Sequence, residues 1–167
     1  MSDAPARTVQ LESESERLQA DLYGALPAPR AAILCHGQSW DASGWRDIGP
    51  QLVARGIPAL ALNFRGYGGS TGTTTPPSTV VDLHVAKAWL KEAGAKEIAL
   101  VGASMGGHAV LGSSFDNDVE CVVSLSAPVQ AVDDALSRKV SGRKLFICAN
   151  EDTMGAAQHR DGPRSRR

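Results

Sequence analysis

Gly102-Ala103-Ser104-Met105-Gly106 places a hydroxyl between two glycines, after the apolar run Ile98–Val101 and before a helix-compatible stretch, His108–Leu111. This is G-x-S-x-G in the strand–turn–helix context that the pattern needs. A serine on so sharp a turn has its Oγ pushed into the open. Gly102, Gly106 and Gly107 let neighbouring backbone close on the turn without a Cβ clash. The chemistry available to such a hydroxyl is attack on a carbonyl carbon, with the Met105 amide directed at the oxygen that turns negative.

The same residues, Gly-Ala-Ser-x-Gly-Gly, have a second reading as a variant dinucleotide-binding loop. That loop follows the first strand of its fold and needs a further glycine, where this chain has His108. At least two strand-like runs precede Ser104, which favours the nucleophile turn. The glycine-rich segment 66–69 lacks the Gly-Lys-Ser/Thr of a phosphate cradle.

The elements that must position Ser104 are readable on both sides of it. Val9 and Leu11, then Leu18, Ala20 and Leu22, alternate with polar neighbours, which predicts two half-buried strands joined by a turn over Glu12–Glu16. Ala31–Cys35 and Ala59–Phe64 are continuous apolar runs, as expected of strands covered on both faces. Between them a helix is expected near Trp45–Arg55, with Ile48, Leu52 and Val53 turned inward and Gly56 as its stop. Thr79 and Asp82 fit a capping box that starts a helix carrying Leu83, Ala86 and Leu90, ended by Gly94. Two further strands, Cys121–Leu125 and Leu145–Ala149, flank a short helical piece at Ala131–Leu136. Strands alternating with helices predict an α/β fold, a mostly parallel twisted sheet with helices on both faces and an antiparallel hairpin at the N-terminal end. Such sheets bind ligands at the carboxyl ends of their strands, and His36, Arg65, Ser104 and Asp152 each follow one.

Composition narrows the class. The chain's 167 residues suit one domain, read as residues 1–157, with a basic, disordered tail at 158–167. A net charge of −1 leaves no electrostatic footprint for nucleic acid. No run approaches the roughly 18 apolar residues of a membrane span, and the first residues lack the order of a signal peptide, so the expected location is the cytoplasm. Cys35, Cys121 and Cys148 each sit in apolar runs and read as free thiols; no metal or other cofactor is implied.

Taken together, these segments resemble the α/β-hydrolase superfamily, in its small, lidless, esterase-like or serine-aminopeptidase-like members. Ile33-Leu34-Cys35-His36-Gly37-Gln38 is similar to the strand that ends in a His-Gly oxyanion motif. Asn63-x-Arg65-Gly66-x-Gly68-x-Ser70 is similar to the loop after the next strand, and Leu145–Asp152 to the strand and loop that carry the triad acid. The resemblance implies Ser104 as nucleophile, Asp152 as acid, and the Gln38 and Met105 amides as oxyanion hole. The substrate would be a small-molecule ester, thioester or amide. Ala127 leads almost directly into Val129–Leu136, leaving no room for an inserted lid.

The triad base is the missing piece. In the resembled order it follows the acid, and His159 is the histidine that does so here. Met154–Gln158 reads as helical, however, and at about 1.5 Å per residue it carries His159 away from the strand ends. His36 belongs to the His-Gly turn, and both are weak candidates; His84 and His108 read as scaffold or surface. Residues after Gln158 do not resemble the last strand and helix, so the chain is expected to be truncated or frameshifted there, with impaired catalysis. Self-association through an uncovered sheet face is the corollary. The competing reading is a catalytically inactive, hydrolase-like binding protein or a non-functional fragment.

Overall fold

The computed structural model describes residues 6–13, 16–113, 118–127 and 142–148. Seven strands form one sheet: β1 (Arg7–Ser13), β2 (Glu16–Tyr23), β3 (Arg30–Cys35), β4 (Ala59–Leu62), β5 (Glu97–Ala103), β6 (Val119–Leu125) and β7 (Arg143–Ile147), in the order β1-β2-β4-β3-β5-β6-β7. β1 and β2 make the expected antiparallel hairpin, and β2 also runs antiparallel to β4; all other pairs are parallel. This is the α/β-hydrolase fold.

Strand alternation divides the core. Ala31, Ile33 and Cys35 of β3, with Leu60 and Leu62 of β4 and Ile98 and Leu100 of β5, are buried on one face with Leu83, Ala86 and Leu90 of α2 (Pro76–Glu92). Ala109–Leu111 of α3 (Met105–Gly112) complete that face. On the other face Ala32, Leu34, Ala59 and Ala61 pack against Trp45, Leu52 and Val53. Small residues there let the short helix α1 (Gly49–Val53) lie close to the strands. Further along that face β7 presents Leu145 and Ile147 about half exposed, at 51% and 50%.

Two helix expectations are corrected. Residues 45–55 do not form one helix. A 3₁₀ turn, Ala42–Trp45, precedes α1, and Ile48 is exposed rather than inward. Pro50 supplies no N–H and cannot sit inside a continuous helix, so the segment breaks ahead of it. Helix α2 begins at Thr75, not Thr79: Thr75 Oγ1 accepts from Ser78 N–H and Ser78 Oγ accepts from Thr75 N–H, with Pro76 at the first helical position. Thr79 and Asp82 are buried inside the helix instead. The strand at 145–149 begins two residues earlier, at Arg143. The helical piece at 131–136 and the lidless connection around 129–136 lie outside the described residues.

Candidate active site

Ser104 sits between β5 and α3 at φ +50°, ψ −113°. A non-glycine residue with positive φ is uncommon and strained. Serine at a helix N-cap ordinarily spends its oxygen on the first-turn amides; here the side chain makes no capping hydrogen bond. Positive φ alone is not diagnostic, since Ser126 after β6 also has it, at +46°. What distinguishes Ser104 is the crowding around it. A Cβ on Gly102 would come within 2.1 Å of Gly106 O, and one on Gly106 within 2.2 Å of Cys35 O. One on Gly107 would meet Ala127 Cβ at 2.7 Å. These glycines let the start of α3 lie directly on β3 and β6. The Gly106 N–H donates to His36 O (3.0 Å) and the Ser104 N–H to Leu125 O (2.8 Å), tying the turn to the strands on both sides.

Parallel pairing of Cys35 with Gly102 brings residues 36–38 alongside 104–106. Gln38 and Met105, the two expected oxyanion donors, therefore sit on neighbouring loops at the same sheet edge. Among the described residues neither N–H has a backbone acceptor, whereas the Gly106 N–H beside them does.

His36 is buried, and its two ring nitrogens are both engaged. Nδ1 lies 2.8 Å from Gly37 O, and Nε2 accepts from Phe64 N–H at 3.2 Å. A carbonyl only accepts and an amide only donates, so the ring is the neutral Nδ1–H tautomer. Burial holds its pKa below the ordinary histidine value, against the opposing Gly37 bond and the Asp41 charge. Such a ring ties the loop after β3 to the end of β4 and has no lone pair left for a serine proton. His84 is exposed midway along α2, and His108 lies one turn into α3, its N–H on Ser104 O at 3.0 Å. Asp152 and His159 lie outside the described residues, as does the tail at 158–167.

Arg65, flagged by its place after β4, is committed to scaffold. Its N–H (2.9 Å), Nε (2.9 Å) and a terminal nitrogen (2.6 Å) all donate to the fully buried Asp82 carboxylate. Paired and hydrogen-bonded in this way, the buried charge is tolerated and anchors the 65–74 loop on α2. Burial also pushes the Cys35 thiol up, which leaves it inert. Among the described residues no three His, Cys, Asp or Glu side chains converge as a metal site.

The positioning role of Gln19 carried no local sequence signal, although its partners Asn63 and Ser70 belong to the loop motif singled out above. Asn63 Oδ1 accepts from Ala42 N–H (2.7 Å) while its Nδ2 donates to Gln19 Oε1 (3.1 Å), which also accepts from Gly69 N–H (2.8 Å). Ser70 Oγ accepts from Gln19 N–H and donates to Asn63 O. Asp41 accepts from Ser43 N–H (2.9 Å) and caps the 3₁₀ turn; Asp-x-Ser-Gly ahead of Trp45 was its one available sign. A depression of about 440 Å³ opens beside Gln38, between the loops after β3 and β4. Ser104 is not in its wall.

Protein ABHD14A of zebrafish is 32% identical over 99 residues, 58% of this chain and 37% of its own length. An uncharacterised protein of Mycobacterium tuberculosis is 28% identical over 85 residues, 49% of this chain and 30% of its own. The chain thus spans about a third of the length of the curated relatives it matches. Among solved structures, an esterase of Pyrococcus furiosus superposes with TM-score 0.66 and 26% identity, covering 75% of this chain and 52% of that one. Epoxide hydrolase A of Mycobacterium thermoresistibile follows at 0.64 and 25%, covering 80% and 44%. A Xanthomonas campestris serine hydrolase without lid shares the fold at 0.67 and 21%, covering 89% and 72%. The model of the alpha/beta hydrolase family matches residues 32–166, across the strand–turn–helix elbow at Ser104, the His-Gly turn and the sheet between them, and the chain belongs to that family.

Proposed function

We propose that this chain carries serine-hydrolase chemistry: two-step acyl transfer on a small-molecule ester, thioester or amide, with Ser104 as nucleophile. One observation carries the reading. Ser104 is held in a strained backbone conformation with its hydroxyl withheld from the helix it precedes. In the reaction, Oγ bonds to the carbonyl carbon as its proton passes to a base. The carbonyl electron pair moves onto oxygen, where the Gln38 and Met105 amides hold it. Collapse expels the alcohol, thiol or amine, and water then hydrolyses the acyl-serine. Asp152 enters as the acid on the strength of the family resemblance. The likeness to an esterase and an epoxide hydrolase supports hydrolysis as the reaction class.

The rival reading, a hydrolase-fold binding protein without turnover, is favoured by a separate observation. Among the described histidines, His36 is spent at both nitrogens, His84 is exposed on α2, and His108 lies past the nucleophile. Without a base, serine hydrolases keep roughly 10³–10⁴-fold acceleration over water from the hole and binding alone. A fluorophosphonate probe separates the readings. Slow covalent labelling at Ser104, abolished in Ser104→Ala, is expected; a folded protein that is never labelled removes the nucleophile. Loss of a further hundredfold or so in His159→Ala identifies that residue as the base, and an unchanged rate shows that the chain works without it.

A further inference from the structure

The depression beside Gln38 has a composition that selects its occupant. Trp40 forms one wall with 39% of its surface open, and its indole is pinned in place. A Cβ on Gly37 or Gly44 would come within 2.4 or 1.9 Å of the indole, and Trp45 lies against it with ring centroids 5.6 Å apart. Tyr67 forms another wall, its hydroxyl donating to Gln38 O at 3.0 Å and its ring edge-on to His36. Asp41 is the one charged side chain among the described lining residues.

The charge of the lining side chains gives the sign of the ligand. The lining N–H groups of Trp40, Gly66 and Tyr67 are already spent on Gly37, Thr71 and Phe64 carbonyls. No basic side chain lines this wall for an anion, while the Gln38, Ser39, Asp41 and Gly68 N–H groups have no acceptor among the described residues. Hydrogen bonds from Ser43 hold Asp41 in its ionised form, the more distant Arg46 adding least. Arg46 is not in the wall and directs its Nε to Ser43 O. The wall thus offers two aromatic rings and one carboxylate, with the Gln38, Ser39 and Ser43 side chains as neutral polar groups beside them.

We propose that this depression is a subsite for an alkylammonium group, with the Trp40 and Tyr67 rings taking its methyl or methylene faces and Asp41 its charge. Because residues 36–38 lie alongside 104–106, the subsite falls on the β4 side of the candidate oxyanion hole. The ammonium group is then carried by the part of the substrate on that side of the scissile carbonyl. Calling it part of a substrate rests on Ser104 as nucleophile; the binding itself does not.

The test titrates the full chain with choline and with dimethylbutanol, its uncharged carbon isostere, following tryptophan fluorescence. A ring contact and one exposed ion pair together predict choline binding about threefold to thirtyfold tighter than the alcohol. Asp41→Asn should remove the ion-pair share and leave choline about twofold to fivefold tighter than the alcohol. Should that variant fail to fold, choline affinity of the parent falling with added salt, while that of the alcohol does not, serves in its place. Equal binding of the two ligands, or no response to either, overturns the proposal. A chain labelled by fluorophosphonate but indifferent to choline loses this subsite and keeps its nucleophile. A chain that binds choline yet is never labelled keeps the site and loses the hydrolase reading.

Discussion

Replacing Ser104 by glycine is expected to make this protein more stable while removing the hydroxyl proposed as nucleophile. The pair φ +50°, ψ −113° is close to the mirror image of an ordinary extended conformation, and holding a non-glycine residue in such a region costs about 1–3 kcal/mol. Glycine enters it about as readily as its mirror, at an extra chain-entropy cost of about 0.5–1 kcal/mol. Loss of an N-cap serine ordinarily subtracts about 1 kcal/mol, but Ser104 makes no capping bond, so nothing is lost there. The balance is a gain of about 1 kcal/mol, which raises Tm by about 2–4 °C in a chain of this size. Ser104→Ala keeps its Cβ, and with it the strain, and should stay within about 0.5 kcal/mol of the parent. Thermal and urea unfolding of the three proteins gives the ordering. A glycine variant no more stable than the alanine variant refutes the claim that folding energy is given up to expose this hydroxyl.

Gly106→Ala drives a Cβ to 2.2 Å from Cys35 O where ordinary contact begins near 3.4 Å. The start of α3 must retreat by the difference, and the cost of about 3 kcal/mol lowers the urea midpoint by about 1.5 M. Gly56→Ala, at φ +76° with nothing within 4 Å, should cost only about 1 kcal/mol; equal losses in the two variants would sink the crowding argument. His36 gives a pH signature. Burial lowers its pKa in the folded protein below 6.5, so the unfolded chain binds more protons as the pH drops. Its contribution is full above about pH 6.5 and is lost as pH falls towards the folded pKa, at up to about 1.4 kcal/mol per pH unit. Urea unfolding across that range should show the slope in the parent and a flatter one in His36→Gln. Leu145 and Ile147 are half exposed and pair across the ladder with half-buried Val123 and Leu125. This stripe predicts self-association at raised concentration, which sedimentation should find abolished when both residues are replaced by lysine.

The sheet was legible in the sequence because each central strand is apolar enough to be covered on both faces. Ala31–Cys35 and Ala59–Leu62 cannot be anything but buried, and the hairpin declared itself through the alternation of Leu18, Ala20 and Leu22. Helix ends were read less well. Thr79-x-x-Asp82 has the spacing of a capping box, but Ser78 replaces the usual Glu or Gln in the true box from Thr75. Asp82 is reserved for Arg65, a partner on another element that no local pattern announces. The same limit applies to the site. Ser104 stood out because its turn demands glycine at fixed neighbouring positions, a local requirement. Gln19, on a strand at the far side of β4, supports the 63–70 loop through contacts 44 and 50 residues away in sequence. Only the fold brings them together.

Why the two proposed oxyanion donors should keep a fixed spacing follows from the bonds between the segments that carry them. Gln38 belongs to the loop after β3 and Met105 to the start of α3, so no single element sets the distance between them. The Gly106 N–H on His36 O fastens the second loop to the first at 3.0 Å, and the His36 ring fastens the first to Phe64 at the end of β4. Every group in that chain is buried or nearly so. Breaking one link therefore leaves a polar group unsatisfied, at about 1–3 kcal/mol, rather than exchanging it for water at almost no cost. Asn63 extends the chain to Ala42 N–H, and thus to the turn that carries Asp41. The elbow, the proposed hole and the proposed cation subsite are in this way joined by one continuous set of hydrogen bonds, two of them through the His36 and Asn63 side chains. A substitution at Asn63, which lines neither the elbow nor the depression, should accordingly disturb both labelling at Ser104 and choline binding.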